Sequence, residues 1–281
     1  MVAHEQEFSV KRMCSVLGVS HSGYYAWKIR PLSQRDQEDQ LLLKKVSEIF
    51  VNSRGTYGGP RIQQALKREG CDYSRKRIAR LMKKANLVPK KVAKWHPKTT
   101  KQAADAKFSP NLLNQNFTAE NPNEKWVADI TYIDTAEGWL YLAAILDLFS
   151  RRVVGWAMGD HINTNLVENA WDMALINRYP DEGLIHHSDR GSQYTSQLFM
   201  DRLEQVNSRS SMSDTGNCYD NAAMESFFAT LKGECATYQF KTKAEARSTI
   251  FEYIEVWYNR MRLHSTLGYC SPVEFEHFLR Q

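Results

Sequence analysis

Cysteine is scarce in this sequence, and the few present are not arranged to act together. Five occur in 281 residues, at Cys14, Cys71, Cys218, Cys235 and Cys270. The count is odd and no C-x-x-C pair is present, which speaks against a disulfide framework or zinc site and for reduced thiols. No apolar run approaches the roughly 18–20 residues that a membrane helix needs. The opening MVAHEQEFSV lacks the apolar centre of a secretory leader. Sustained heptads are missing from residues 1–40, so no coiled-coil segment is expected there. What remains is ordinary globular composition, 42% apolar and 25% charged, suited to one large domain and a smaller one.

Charge is unevenly spread. Residues 1–110 hold 23 Lys and Arg against 9 Asp and Glu, and residues 111–281 hold 14 against 23. The first part is therefore +14 and the second −9, within an overall +5. From Arg75 to Lys107 there are twelve basic residues and one acid, Asp105. Such a stretch attracts polyanions, although a solvated surface is the simpler explanation of any single basic run.

Residues 1–37 read as a partial helix-turn-helix. Val10, Met13, Val16 and Leu17 have helical spacing, Gly18 breaks it, and Ser20 or Ser22 caps a second short helix. Residues 38–88 read as three helices. Leu41, Leu42, Lys45, Val46 and Ile49 outline the first. Pro60 opens the second, with Ile62, Ala65 and Leu66 as its apolar face. Ser74 caps the third, which buries Ile78, Leu81, Met82 and Ala85. Arg75, Lys76, Arg77, Arg80, Lys83 and Lys84 cover the rest of that helix, a surface suited to phosphate contact. Residues 89–123, basic and rich in Asn, Pro and Thr, read as a linker that lies along a phosphate backbone.

From residue 124 the pattern changes. KWVADITYIDT, EGWLYLAAILDLFS and RRVVGWAMGD are three adjacent strands. Helix, strand (LIHHSD), helix, strand (SRSSMSD) and a further helix follow. A last long helix is expected over residues 244–262, through Ile250, Tyr253, Ile254, Trp257, Tyr258 and Met261. This βββαβαβα order is that of an α/β, RNase H-like mixed five-stranded sheet flanked by helices, here preceded by an all-α helix-turn-helix region.

Three acids stand out against that frame. Asp129 interrupts the first strand, where a carboxylate is costly unless paired or metal-bound. Asp189 ends the fourth strand, and strand C-termini are where α/β sheets place ligands. Glu225 lies on the late helix beside the core stripe Met224, Phe227, Phe228 and Leu231, on a face shared with Asn221, Ala222, Ala229 and Lys232. Taken singly, each acid reads as a surface or capping residue. Together they can bring three oxygen donors to one edge of the sheet. Between Asp189 and Glu225 lie 35 residues.

The strings WVADITYI, HSDRGSQY and DNAAMESFFATLKGE around these acids, with the tail YNRMRLHSTLGYCSP, resemble the bacterial insertion-sequence transposases of the IS-three family, and through them the retroviral integrase core. YGGPRIQQAL and RKRIARLMKKANL look like that family's helix-turn-helix segment. The resemblance covers roughly residues 40–275. It implies that Asp129, Asp189 and Glu225 are a DDE triad binding two Mg²⁺ ions, with Mn²⁺ able to substitute, and that the activity is DNA cleavage and strand transfer. Asp129 would bridge both ions, and Asp189 and Glu225 would each hold one. Water would first free a 3′-hydroxyl at an element end, and that hydroxyl would then attack target DNA. The implied partners are double-stranded DNA, further copies of the chain on that DNA, and a short upstream product of the same element, with no membrane. The implied location is the bacterial cytoplasm at the nucleoid. Without heptads in residues 1–40, the chain is expected to be the downstream catalytic product.

Other residues carry weaker expectations. Asn221 and Lys232 are candidate DNA or phosphate contacts. His186 and His187 suit strand-end packing better than metal binding. Tyr258, Asn259, Arg262 and His264 are expected to dock the last helix, with DNA contact by Arg262 or His264 as the alternative. Trp126, Trp139, Trp156 and Trp257 are expected in the core. Gly191 permits a turn that presents Ser192 and Gln193. The competing functions are an RNase H-like metal-dependent nuclease that cuts without joining, and a catalytically silent DNA-binding regulator.

Overall fold

The structure, a computed structural model, describes residues 1–90, 108–214 and 218–278. Short helices open the chain: α1 (Val10–Leu17) and α2 (His21–Ile29) are capped by the hydroxyls of Ser9 and Ser20. Gly18 ends α1 at φ 64°, the left-handed turn that glycine adopts without a Cβ penalty. Next come α3 (Gln34–Asn52), α4 (Gly59–Arg68) and α5 (Arg75–Lys84). Ser33 caps α3, Pro60 sits in the first turn of α4, and Ser74 caps α5. Leu42, Val46, Ile62, Leu66, Ile78, Leu81 and Met82 fill the space between these helices, whereas Leu41, expected on the apolar face, is exposed.

The sheet has five strands: β1 (Lys125–Ile133), β2 (Leu140–Asp147), β3 (Val153–Gly159), β4 (Ile185–Ser188) and β5 (Arg209–Met212). Their spatial order is β3-β2-β1-β4-β5. The first three form an antiparallel meander, and β4 and β5 add in parallel to β1. This is the mixed, RNase H-like arrangement that the strand order implied. Two-residue periodicity divides the sheet into two faces. Trp126, Ala128, Ala143, Ile145 and Val154 pack against α6 (Thr164–Arg178) and α7 (Gln197–Glu204). A Cβ at Gly155 would come within 2.2 Å of the Ala170 carbonyl oxygen, so this glycine lets α6 lie against β3. Val127, Ile133, Leu142, Ala144 and Leu146 pack on the other face against α8 (Ala222–Glu234) and α9 (Lys243–Glu252).

The same apolar cluster continues into α3, α4 and α5, so the helical region and the sheet share one core. After α9 the helix continues as a wider π-helical stretch, Tyr253–Tyr258, and stops short of the expected end at residue 262. A short helix that periodicity did not suggest, α10 (Pro272–Phe278), follows. Its Glu276 accepts from Arg178 at 2.7 Å, Arg152 at 2.9 Å and Ser150 at 2.6 Å, which fixes this end of the chain to α6 and the β2–β3 turn.

Within the expected linker, residues 91–107 lie outside the described residues. The part from residue 108 runs along the sheet edge. Leu113 is buried, the Leu112 N–H donates to Ser211 Oγ at 2.9 Å, and Phe108 lies 4.7 Å beneath the Arg190 guanidinium. Among the described residues, no helix is long and apolar enough to cross a membrane.

Candidate active site

The site forms where β1 loses a neighbour. Strand β4 pairs with β1 only through Val127, so from Asp129 onward β1 keeps β2 alone. Asp129 falls at the start of this free edge, on the same face as Val127 and Ile133, toward α8. The Ile130 N–H, left without a strand partner, donates to Asp129 Oδ1 at 2.7 Å. Asp189 follows β4 directly, and its Oδ1 accepts from the Gly191 N–H at 3.0 Å. A Cβ on Gly191 would press on that same oxygen at 3.0 Å, so glycine keeps this turn open. Glu225 stands in the first turn of α8 with its side chain exposed.

Electrostatics links the three. Burial pushes the Asp129 carboxyl well above the usual range, the Asp189 charge pushes it further, and Glu225 adds to the rise against the Ile130 hydrogen bond and Lys232. Burial likewise raises Asp189. Among the described residues, none of the three acids forms an ion pair. The convergence is therefore partial. Asp129 is within electrostatic reach of both other acids, but no three Asp, Glu, His or Cys side chains among the described residues stand close enough to enclose an ion. Glu225 is exposed, whereas burial acts on both Asp129 and Asp189.

Lys232, two turns along α8, places its ammonium 4.5 Å over the Tyr132 ring, and burial lowers its pKa against the attraction of Asp129. Asn221 is turned inward. Its amide donates to the Ala128 carbonyl at 3.3 Å, and its buried Oδ1 has no hydrogen-bond partner among the described residues. It ties α8 to β1 beside Asp129 instead of facing solvent as a DNA contact. His186 and His187 are buried and pushed down by that burial to about 3 and about 4. His187 bonds the hydroxyls of Ser211 and Ser213 at 2.8 and 3.1 Å, so both histidines serve packing.

Two aromatic residues depart from what the sequence suggested. Tyr194 is buried within electrostatic reach of Asp129 and Asp189, whose charges add to burial in raising its pKa. Its only signal was its place at the end of HSDRGSQY. Trp139, expected in the core, is 46% exposed and meets Tyr132 edge-on at 4.9 Å. Trp126 and Trp257 are buried as expected, and Trp156 is half-buried.

On the basic helix α5, Arg77 Nε donates to Asp39 Oδ1 at 2.6 Å and Arg77 also reaches Glu38, while Arg80 pairs with the same Asp39. Those two arginines partly brace α3, whereas Arg75, Lys76, Lys83 and Lys84 are exposed. In the tail, Asn259 pairs both ways with the Val153 backbone, at 3.0 and 2.9 Å, and Arg262 is buried against Glu234, so both dock the chain end rather than face DNA.

Family models agree with this layout. An integrase core domain matches residues 119–218 and 225–278, and an HTH-like domain matches residues 36–95. Transposase InsF for insertion sequence IS3A of Escherichia coli K12 is 43% identical over 276 residues, covering 97% of this chain and 96% of its own. The chain belongs to the IS3 family of insertion-sequence transposases. A 31 kDa protein of insertion element IS600 from Shigella sonnei is 47% identical over 264 residues, 94% of this chain and 97% of its own. Among solved structures, the HTLV-2 integrase catalytic core in complex with magnesium superposes with a TM-score of 0.45 at 15% identity, over 57% of this chain and 99% of that one. Within the IS3 family, this chain is an integrase-type polynucleotidyl transferase.

Proposed function

We propose that this IS3-family chain cleaves insertion-sequence ends and joins them to target DNA in a reaction that needs divalent metal, with Asp129, Asp189 and Glu225 as the ligands. The observation that carries the reading is Asp129: a carboxylate in a strand, raised by burial and by two neighbouring acids, with no ion-pair partner among the described residues. An unpaired acid in such a place is unfavourable unless a cation joins it. The donor set is all carboxylate oxygen, which fits Mg²⁺, with Mn²⁺ as a substitute, and does not fit zinc. When bound, two such ions activate a hydroxyl nucleophile and stabilise the leaving alkoxide.

The remaining work belongs to the protein. Asp189 and Gly191 form a turn whose backbone N–H orients one carboxylate oxygen. Lys232 brings an ammonium to the same edge, where a phosphate oxygen can take it up. Tyr194 is buried in the apolar cluster of α6 and α7, within electrostatic reach of Asp129 and Asp189. The −9 of residues 111–281 cannot attract DNA by bulk charge. Attraction falls to the exposed Arg75, Lys76, Lys83 and Lys84 on α5, with Arg77 and Arg80 shared between DNA and Asp39, and binding weakens as salt rises. Because two element ends are processed together, the working form is a multimer on DNA. The upstream product of the element is a further partner.

The test presents a pre-cleaved donor end and a target duplex in Mg²⁺. A covalently joined product is expected. Nicking without joining would leave a nuclease, and binding without either would leave a regulator.

A further inference from the structure

The tail string YNRMRLHSTLGYCSP and the loop string GTYGGP have no part in the chemistry above, yet they meet each other. Tyr57, before α4, accepts at its hydroxyl from the Leu263 N–H at 2.8 Å and donates to the Met261 carbonyl at 3.3 Å. Arg61 Nε donates to the Leu263 carbonyl at 2.9 Å. Arg68, at the end of α4, donates to the Tyr269 carbonyl at 2.7 Å and holds Glu274 with both guanidinium nitrogens. Arg54 reaches Glu252 at 2.7 Å and lies over Trp257. Four side chains from this part of the helical region thus meet residues 252–274, three of them at its backbone.

That stretch also grips the helix that carries Glu225. Arg262, between Met261 and Leu263, forms a fork with Glu234 at the last residue of α8, at 2.7–3.0 Å. Tyr253 and Trp257 donate to the same carboxylate at 3.0 and 3.3 Å. From the segment that follows α5, Lys90 Nζ adds a bond to the Glu234 carbonyl at 3.0 Å. A continuous line runs from α4 through Tyr57 and Arg61 to residues 261–263, through Arg262 to Glu234, and along α8 to Glu225.

We propose that residues 253–274 are a coupler that fixes the α3–α5 unit against α8, so that the grip on DNA and the Glu225 carboxylate stand in one register, with Tyr57 and Arg61 as positioning residues. The proposal rests on the functional reading above and adds to it a determinant of where the strand is cut. A shift of about 1 Å between grip and reacting group is enough to cost about 100-fold in rate.

The experiment uses the full chain in Mg²⁺ on duplexes carrying the terminal repeats of its own element, with cut positions mapped to the nucleotide. Wild type is expected to cut at one phosphate. Tyr57→Phe and Arg61→Gln should keep DNA affinity within about twofold while cutting roughly 10- to 100-fold more slowly, with cuts spread over neighbouring phosphates. Arg61→Lys, which keeps a donor, should recover part of the single-site pattern. Should Tyr57→Phe lower folding stability, Arg68→Gln loosens the same contact at its half-exposed rim and is expected to spread the cuts as well. A single wild-type cut at wild-type rate in all these variants overturns the coupler and leaves the functional reading standing. No cutting by wild type overturns the functional reading and the coupler with it.

Discussion

Glu234→Gln is expected to destabilise the protein far more than an exposed substitution. Glu234 and Arg262 have side chains only 7% and 6% exposed, and three hydrogen bonds of 2.7–3.0 Å join them. Glutamine leaves the guanidinium buried without its counter-charge. It also turns one acceptor oxygen into a donor that faces Tyr253, Trp257 or Arg262. Removing one partner of such a pair costs about 3–5 kcal/mol. For a chain of this size that corresponds to a fall in melting temperature of roughly 6–20 °C. Urea and thermal unfolding followed by circular dichroism read the change directly. The double variant Glu234→Met with Arg262→Met should regain part of the loss, because no charge is left buried. It does not regain all, since the Tyr253 hydroxyl and Trp257 N–H then lack their acceptor. A loss below about 1 kcal/mol for Glu234→Gln would refute the reasoning, since that is the behaviour of a pair that water already screens.

Further expectations concern the site and the DNA grip. In metal-free buffer Asp129→Asn should melt above wild type at pH 7, because it removes a carboxyl that burial and the neighbouring Asp189 and Glu225 make costly to ionise; thermal melts with EDTA measure this, and a less stable variant counts against the account. Millimolar Mg²⁺ should raise the melting temperature of wild type and leave Asp129→Asn unmoved. Lys232→Ala should weaken DNA binding and lower the slope of log affinity against log salt by about 1. His186 and His264 are held neutral at about 3, His186 by burial and the neighbouring His187, His264 by burial and the nearby Arg262, Arg61 and Arg151 charges. Unfolding frees both to take up protons near their ordinary values. The stability they contribute is therefore present above about pH 6.5 and is lost as pH falls toward 3, at up to about 1.4 kcal/mol per histidine per pH unit. Urea midpoints at pH 7 and pH 5 test it.

Much of this was legible in the amino-acid order. Strand periodicity and the glycines between apolar runs pointed to the five strands in sequence, and serines at 20 and 74 marked helix starts because a hydroxyl satisfies the first free N–H groups. Asp129 announced itself as a carboxylate in an apolar strand. The misses share a cause: they depend on contacts distant in sequence. Nothing around Asn221 says that its amide turns back to Ala128. Trp139 looks like core by composition, yet sits at a hairpin, 46% exposed, against the edge of Tyr132. The helix α10 is too short for periodicity, and its Glu276 finds its partners at Arg152 and Arg178 more than ninety residues away. Family motifs placed Tyr258, Asn259, Arg262 and His264 together without showing that two of them pair with Val153 and Glu234.

The most direct measurement of the central claim takes Asp129→Asn, Asp189→Asn and Glu225→Gln one at a time. Each is assayed in parallel for binding to an element-end duplex and for Mg²⁺-dependent strand cleavage. The account predicts binding close to wild type and cleavage reduced by orders of magnitude in all three, because one metal centre needs every ligand. Wild-type cleavage by any one of them would contradict it.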